Sequence, residues 1–242
     1  IAIDAQMNLW FGTWPSGVFK FNGTNWTTYN SSNSGIPDFA VHGITIDAQN
    51  NIWFGTIGGG VIKFDGTNWT IYNTSNSGLI DNGVETITID NQGNKWIGTY
   101  AGISKFDGTN WTSYTPSNSS IVGYDVTSIA FDPQGNAWIA VYDGESQMGI
   151  VGGVSKFDGT NWTSYTTANS GLVNNEVLTI TIDKVGNKWI GTYGGISKFD
   201  DKKWISYSIT NSGLPDNMVS KIAIDKQGIN WFCTRRGGVS KF

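Results

Sequence analysis

Hydrophobic and polar residues alternate along this chain in short runs, and the runs return at a nearly fixed distance. Each return opens with an apolar phrase, Ile-(Thr/Ala)-(Ile/Phe)-Asp, and the phrases begin at Ile1, Ile44, Ile87, Ile129, Ile180 and Ile222. Their spacings are 43, 43, 42, 51 and 42 residues. Within each unit, runs rich in β-branched and aromatic residues are separated by Gly, Asn and Asp, which is typical of short strands joined by tight turns. The pattern predicts four strands per unit.

Four antiparallel strands that repeat every 40 to 45 residues or so are typical of a β-propeller, in which each unit forms one blade. We predict an all-β fold, a single six-bladed β-propeller of four-stranded antiparallel blades over residues 1–242. Tryptophans at two fixed places of the repeat should build the cores between blades. They are Trp10, Trp53, Trp96, Trp138, Trp189 and Trp231 on the second strand, and Trp26, Trp69, Trp111, Trp162 and Trp204 on the fourth.

The sixth unit departs from the pattern, because it ends after its third strand and lacks the Asn-Trp-x-x-Tyr strand of the other units. The chain also begins in the middle of a motif. We therefore expect a piece of a larger protein with flanking domains, in which the outer strand of blade six lies before Ile1 or after Phe242. The last blade should lack its outer strand here, and its third strand should be an open sheet edge.

Composition excludes several classes of partner. Hydrophobic residues make up 38% of the chain and aromatic residues 14%, which is enough for a packed core. Fifteen Lys and Arg against nineteen Asp and Glu give a net charge of −4, which argues against nucleic acid and anionic membrane surfaces. The sequence contains no run of about 18 apolar residues, so we predict no membrane insertion. The single cysteine, Cys233, excludes an internal disulfide.

The third unit carries the repeat in its fullest form, with Val84, Ile87, Asp90, Gly93, Asn94, Trp96, Ile97, Gly98, Thr99, Gly102 and Phe106 at the fixed places. This pattern recurs in all six units and resembles the two-component regulator propeller repeat. The resemblance implies a propeller from a periplasmic glycan sensor of a hybrid two-component system, or from a secreted multidomain bacterial protein. It therefore implies a periplasmic or extracellular location. Six units are fewer than the sensors usually have, and the sequence contains no kinase or transmembrane segment.

Residues that break the repeat lie in the loops between strands two and three and in those that lead to the next blade. These loops should emerge on one face of the propeller. Exposed aromatic rings there would stack on the apolar faces of sugars or of other planar ligands, so we predict a ligand-binding rim. Alternatively, the rings only cover the ends of the cores between blades. The rim aromatics are Trp14, Phe39, Tyr100, Tyr124, Tyr142 and Tyr193.

Unit six carries two cations in the same loop, Arg235 and Arg236. Because an arginine fork beside aromatic rings suits the carboxylate or sulfate of an acidic sugar, we include both in the predicted rim. The alternative is that one of them pairs with Asp216 or another loop carboxylate and that the other is solvated. An insertion in unit four, YDGESQMGIV, supplies Asp143 and Glu145, which could hold calcium. We otherwise predict no metal ion and no cofactor.

His42 is the only histidine and the only catalytic candidate in the sequence. His42 with Tyr100 or Tyr193 and Arg235 would resemble the acid–base sets of propeller lyases, but no spacing singles the set out. A lone histidine is more often structural. We predict an exported propeller that binds a glycan or another small ligand. The alternatives are a protein-interaction or structural module of a larger surface protein, and a polysaccharide lyase-like enzyme.

Overall fold

The computed structural model describes residues 1–15, 17–37, 39–142, 144 and 152–242. Both proposed calcium ligands, Asp143 and Glu145, lie outside these residues. The predicted fold class, an all-β six-bladed β-propeller whose last blade has three strands, is confirmed. The strands fall into two compact units, Ile1–Tyr114 and Thr115–Phe242. In the part of the chain that the structure describes, no helix has the length and apolar character needed to cross a membrane.

The first unit contains blades one to three, each a sheet of four antiparallel strands in chain order. Every strand pairs with its neighbour in the chain, so that Trp96 lies opposite Thr88 on one side and Lys105 on the other. The strands are β1 (Ala2–Ile3), β2 (Leu9–Gly12), β3 (Val18–Phe21), β4 (Trp26–Tyr29), β5 (Val41–Ile46), β6 (Ile52–Thr56), β7 (Gly60–Phe64), β8 (Trp69–Tyr72), β9 (Val84–Ile89), β10 (Lys95–Thr99), β11 (Gly102–Phe106) and β12 (Trp111–Tyr114).

The second unit contains blades four to six. Blades four and five repeat the four-stranded order, whereas blade six is a sheet of three strands in the order β21-β22-β23. Among the described residues, no fourth strand pairs with β23. The strands are β13 (Asp125–Phe131), β14 (Ala137–Tyr142), β15 (Gly153–Phe157), β16 (Trp162–Tyr165), β17 (Val177–Ile182), β18 (Lys188–Thr192), β19 (Gly195–Phe199), β20 (Trp204–Tyr207), β21 (Val219–Ile224), β22 (Asn230–Thr234) and β23 (Gly238–Lys241).

An aspartate closes the hairpin between the first and second strands of each blade. In blade three, Asp90 Oδ1 accepts hydrogen bonds from the backbone N–H groups of Gln92 at 3.0 Å and Asn94 at 2.9 Å. Its Oδ2 accepts one from Trp96 Nε1 at 2.9 Å. One carboxylate thus joins the turn to the core. We call these pairs the Asp–Trp latches: Asp4–Trp10, Asp47–Trp53, Asp90–Trp96, Asp132–Trp138, Asp183–Trp189 and Asp225–Trp231.

The latch turn also needs a residue in the left-handed backbone region. Gly93 takes it with φ at 87°, and Asn50 occupies the equivalent place of blade two at 65°. In blade one the same place is held by Met7, at 64°. The left-handed region is energetically costly for a side chain as large as that of Met7. The hydrogen bonds of the latch therefore have to hold this turn in place.

Within each unit, second-strand tryptophans lie in the cores between neighbouring blades, as predicted. Trp53 stacks on Tyr72 with 5.8 Å between ring centroids and packs against Phe106 of the next blade at 6.2 Å. The first five tryptophans of this set are at most 3% exposed. Two of the repeated tryptophans differ from this burial. Trp231 is 37% exposed, and Trp26 of the fourth-strand set is 59% exposed.

Candidate functional site

The blade ends that lie opposite the latches carry the residues singled out by the sequence, and we call these ends the rim. The residue after the repeated Gly-Thr place donates its backbone N–H to the residue that precedes the inner-strand valine. Tyr100 donates in this way to the carbonyl of Gly83 at 3.2 Å, and Tyr193 to that of Glu176 at 3.1 Å. The variable side chains are therefore held against the start of the inner strands.

Three rim side chains of the first unit form a hydrogen-bonded group, the His42–Glu85–Tyr100 cluster. The Tyr100 hydroxyl donates to Glu85 Oε1 at 2.7 Å, and Glu85 Oε2 lies 3.0 Å from His42 Nδ1. The tyrosine is 42% exposed, and the histidine and glutamate side chains are 39% and 23% exposed. One carboxylate thus fixes an exposed ring and an imidazole side by side.

A glycine in the preceding loop permits this position of the ring. A Cβ added to Gly83 would clash with the ring of Tyr100. The ring therefore lies directly over the backbone that leads into β9, with its hydroxyl directed to Glu85 two residues further on. The sequence Gly83-Val84-Glu85 supplies both the space and the acceptor.

Two rim tyrosines of the second unit form the Tyr142–Tyr193 pair. Their rings are stacked, with 5.7 Å between centroids and 24° between planes. A hydrogen bond with Tyr193, burial, and the charges of Tyr193, Glu176 and Asp125 together raise the pKa of Tyr142 to about 12. Each of the two acids directly precedes the inner-strand valine of its blade.

The two arginines of blade six lie exposed in the turn between β22 and β23. Arg235 Nη1 is 3.6 Å from the sulfur of Met218, and the backbone N–H of Arg236 donates to Asp216 Oδ2 at 3.0 Å. Among the described residues, neither guanidinium forms an ion pair with a carboxylate. Asp216 therefore positions the backbone of this loop.

The remaining rim aromatics do not share one arrangement. Trp14 is 78% exposed, whereas Tyr124 is half-buried. Phe39 is 37% exposed and its ring lies over the turn between β6 and β7, where Cβ atoms added to Gly58 and Gly59 would lie 3.0 and 2.6 Å from it. Phe39 thus fits the alternative in which a ring covers the end of a core.

Glu85 is a candidate that the predicted set of ligand-binding residues did not include, although its repeat position placed it near the inner rim. Its signal was present, because Glu85 occupies the repeat place of His42 one unit later, 43 residues on. The described residues contain no group of three or more His, Cys, Asp and Glu side chains placed to hold a metal ion.

Neither protein-family models nor curated protein sequences match the chain. Membership of the two-component regulator propeller family therefore stays a prediction.

Solved structures match the fold. The extracellular domain described for a hybrid two component system, BT3049 of B. thetaiotaomicron, has a TM-score of 0.85 at 24% identity, over 100% of this chain and 33% of that one. PorZ, a surface component of the type-IX secretion system of Porphyromonas gingivalis, has 0.76 at 18%, over 97% and 37%. A streptogramin B lyase has 0.76 at 17%, over 99% and 76%.

At these identities the likeness shows the propeller fold alone. The chain spans about a third of the length of the first two structures.

Proposed function

We propose that this chain is a ligand-binding propeller module of a larger exported protein, and that its ligand is a carbohydrate. The observation that carries the proposal is the His42–Glu85–Tyr100 cluster, which joins an exposed ring to two polar groups at one blade rim. A periplasmic or extracellular location is supported by the similarity to an extracellular domain and to a bacterial surface component.

The chemistry of the cluster suits a sugar. The apolar C–H face of a pyranose stacks on an aromatic ring, and Tyr100 presents its ring to solvent. Carboxylate and imidazole groups beside the ring are hydrogen-bonding partners for sugar hydroxyls. Because Glu85 already holds the Tyr100 hydroxyl, the ring loses little freedom when a ligand binds, which lowers the entropic cost of binding.

The two arginines of blade six would favour an acidic sugar. Arg235 and Arg236 are exposed cations, and a guanidinium binds carboxylate or sulfate through paired N–H donors. The Tyr142–Tyr193 pair adds two stacked phenol rings in the same unit. We therefore place uronic-acid and sulfated glycans first among the candidate ligands.

A glycan array tests the proposal, with neutral, uronic-acid and sulfated polysaccharides at pH 7, with and without calcium. Titration calorimetry then measures the affinity for the strongest ligand. Tyr100→Ala should weaken that affinity at least about tenfold, because truncation of an aromatic contact usually dominates binding. Trp26→Ala is the matched control, since it removes an exposed ring from the outer strand and should bind as the wild type does.

Tyr193→Ala shows which rim binds. If only this variant loses affinity, the site lies in the second unit and the role given to the His42–Glu85–Tyr100 cluster is wrong. A folded chain that binds no glycan on the array, or whose affinity survives both tyrosine substitutions, contradicts the proposed function.

Catalysis is a second candidate function, favoured by one observation. His42 Nδ1 lies 3.0 Å from Glu85 Oε2, and a carboxylate that orients an imidazole is a common arrangement in general acid–base catalysis. One of the similar structures is a streptogramin B lyase. This candidate predicts turnover of the bound polysaccharide, lost in His42→Ala while binding persists. Absence of turnover by the wild-type chain contradicts it.

A further inference from the structure

The turn between β3 and β4, at the latch end of blade one, differs from its counterparts in its first residue. It reads Asn-Gly-Thr-Asn, begins at Asn22 and is exposed over all four residues. No residue of the rim clusters lies in this turn. The equivalent turns of blades two to five begin with an aspartate: Asp65, Asp107, Asp158 and Asp200.

Two backbone donors hold the amide oxygen of Asn22. Asn22 Oδ1 accepts hydrogen bonds from the N–H groups of Thr24 at 3.0 Å and Asn25 at 2.7 Å. In blade three, Asp107 Oδ1 accepts the equivalent two bonds at 2.8 and 2.7 Å. The two turns thus hold an amide oxygen and a carboxylate oxygen in the same way.

These donors favour a negative charge on the oxygen that they hold. In the four counterpart turns, hydrogen bonds from backbone N–H groups are the largest cause of a lowered aspartate pKa. In blade one the same donors already contact a neutral amide oxygen. The turn is therefore preorganised for a reaction in which charge develops on Asn22 Oδ1.

The next residue supplies a nucleophile for such a reaction. Attack of a backbone nitrogen on Cγ of the preceding asparagine closes a five-membered ring, and the two groups are held close because they are adjacent in the chain. Glycine hinders this approach least, since it has no side chain. A Cβ built on Gly23 would meet nothing within 4 Å, so the surrounding space is open to solvent and to the base that takes the proton.

We propose that Asn22 is a deamidation site, at which the folded turn promotes conversion of the asparagine to aspartate. The Gly23 nitrogen loses its proton to solvent and bonds to Asn22 Cγ, and the tetrahedral intermediate expels ammonia to leave a succinimide. Water then opens this ring at either carbonyl, which gives aspartate or isoaspartate. The aspartate product gives the turn the first residue of its four counterparts and makes the net charge one unit more negative than −4.

The chain contains one other Asn-Gly pair, Asn82-Gly83, and its surroundings oppose the same reaction. The Gly83 N–H donates to Asp81 Oδ1 at 2.6 Å, and this bond would have to break before the nitrogen could attack. Gly83 is also buried, and the ring of Tyr100 lies directly against it. Asn82 is therefore an internal reference with the same local sequence chemistry and a different fold environment.

The experiment follows both Asn-Gly pairs in one sample of the full 242-residue chain. The chain is incubated at mildly alkaline pH in water enriched in heavy oxygen, which labels each new carboxylate, and digestion with mass spectrometry measures the label at each site. In the folded chain we expect Asn22 to react at least about tenfold faster than Asn82. In urea the two rates should approach each other, and that of Asn22 should fall.

Two variants separate the parts of the proposal. Gly23→Asp copies blade five, where Asp201 holds this place with φ at 71°, so the turn is kept while the attacking nitrogen gains a bulky neighbour. It should slow the reaction of Asn22 severalfold and leave that of Asn82 unchanged. Asn22→Asp reproduces the product and should melt at or above the wild-type temperature, because backbone donors bind a carboxylate more strongly than an amide.

The proposal is overturned if Asn22 in the folded chain reacts no faster than Asn82, or if urea speeds its reaction, since the turn would then protect the amide. An unchanged rate in Gly23→Asp also overturns it. A melting temperature of Asn22→Asp below that of the wild type contradicts the fit of this turn to a carboxylate. None of these outcomes involves glycan binding, so failure here leaves the proposed carbohydrate function intact.

Discussion

The two ends of each blade differ in how their polar side chains are used. At the latch end, one aspartate accepts hydrogen bonds from turn amides and from an indole N–H, and the same pair recurs in all six blades. At the rim end, equivalent positions make different contacts. The Tyr100 hydroxyl donates to Glu85, the residue that follows the inner-strand valine. Tyr193 instead stacks on Tyr142, and its backbone N–H donates to Glu176, the residue that precedes that valine. The constant end stabilises the blade, and the variable end is left for recognition.

The largest expected effect is loss of a buried latch. Asp132 accepts from two turn amides, Asn136 Nδ2 and Trp138 Nε1. Asp132→Ala should lower the free energy of unfolding by about 3 kcal/mol, because the fully buried indole N–H would lose its acceptor. Urea unfolding followed by tryptophan fluorescence measures this loss.

Asp225→Ala is the internal comparison, since it removes the same kind of latch where Trp231 is 37% exposed and can bond water. It should destabilise the chain less than Asp132→Ala does. Equal losses in the two variants would contradict the role assigned to burial at the latch end.

The next effect is acid lability of the latch end. Burial raises the pKa of Asp132, but hydrogen bonds from Trp138 and Asn136 and the Lys188 charge outweigh it, so the net pKa is lowered. The folded state therefore binds the proton less well than the unfolded state. The latch stabilisation is fully present above the ordinary carboxyl pKa of about 3.9 and is lost as pH falls through the lowered value.

Thermal melts between pH 6 and pH 2 or so should show this loss. In Asp132→Ala the melting temperature should depend less steeply on pH over the same interval. An unchanged acid dependence would mean that the latch carboxylates do not control acid unfolding.

At the rim end, the Tyr142–Tyr193 pair should alter proton binding more than stability. The pKa of Tyr142 is raised to about 12, and the hydrogen bond with Tyr193 is the largest cause. Tyr193→Phe should return the pKa of Tyr142 towards the ordinary value of 10.0. Carbon-13 NMR of the labelled tyrosine ring carbons measures the titration. If the pKa of Tyr142 in this variant stays at its wild-type value, then burial and charge set that pKa, and the hydrogen bond with Tyr193 does not.

The smallest expected effect is on stability at the first-unit rim. Tyr100→Phe removes the hydroxyl that bonds Glu85 but keeps the ring, and the tyrosine is 42% exposed. We expect a loss of less than about 1 kcal/mol in the free energy of unfolding, because water replaces an exposed hydrogen bond. A loss of unfolding free energy as large as that of Asp132→Ala would mean that this hydroxyl stabilises the fold, which contradicts the role assigned to the rim.

Sequence reasoning predicted the latch end better than the rim end. The repeat spacing predicted the number of blades, and the Gly, Asn and Asp residues between the apolar runs indicated tight turns, because both signals come from residues close in the chain. The His42–Glu85 contact joins residues 43 apart. It depends on how inner strands of two blades align and on an irregular register between Gly98 and Thr99. Neither feature is encoded in a local pattern.

The contacts of individual rim rings also could not be predicted from a local sequence pattern. Phe39 and Tyr100 were both predicted as rim aromatics because neither occupies a repeated core position. Phe39 packs over Gly58 and Gly59, whereas the Tyr100 hydroxyl donates to Glu85. Loop backbone decides between these outcomes, as at Gly58, where φ is 109°. The exposed Trp26 and Trp231 likewise differ from their repeat mates in surroundings and not in sequence.

The measurement that tests the division between the two ends most directly is the glycan affinity of Tyr100→Ala, taken beside its melting temperature. We expect affinity for the strongest array ligand to fall at least about tenfold while the melting temperature stays near that of the wild type. Unchanged affinity, or a melting temperature that falls together with it, would contradict the assignment of the first-unit rim to recognition.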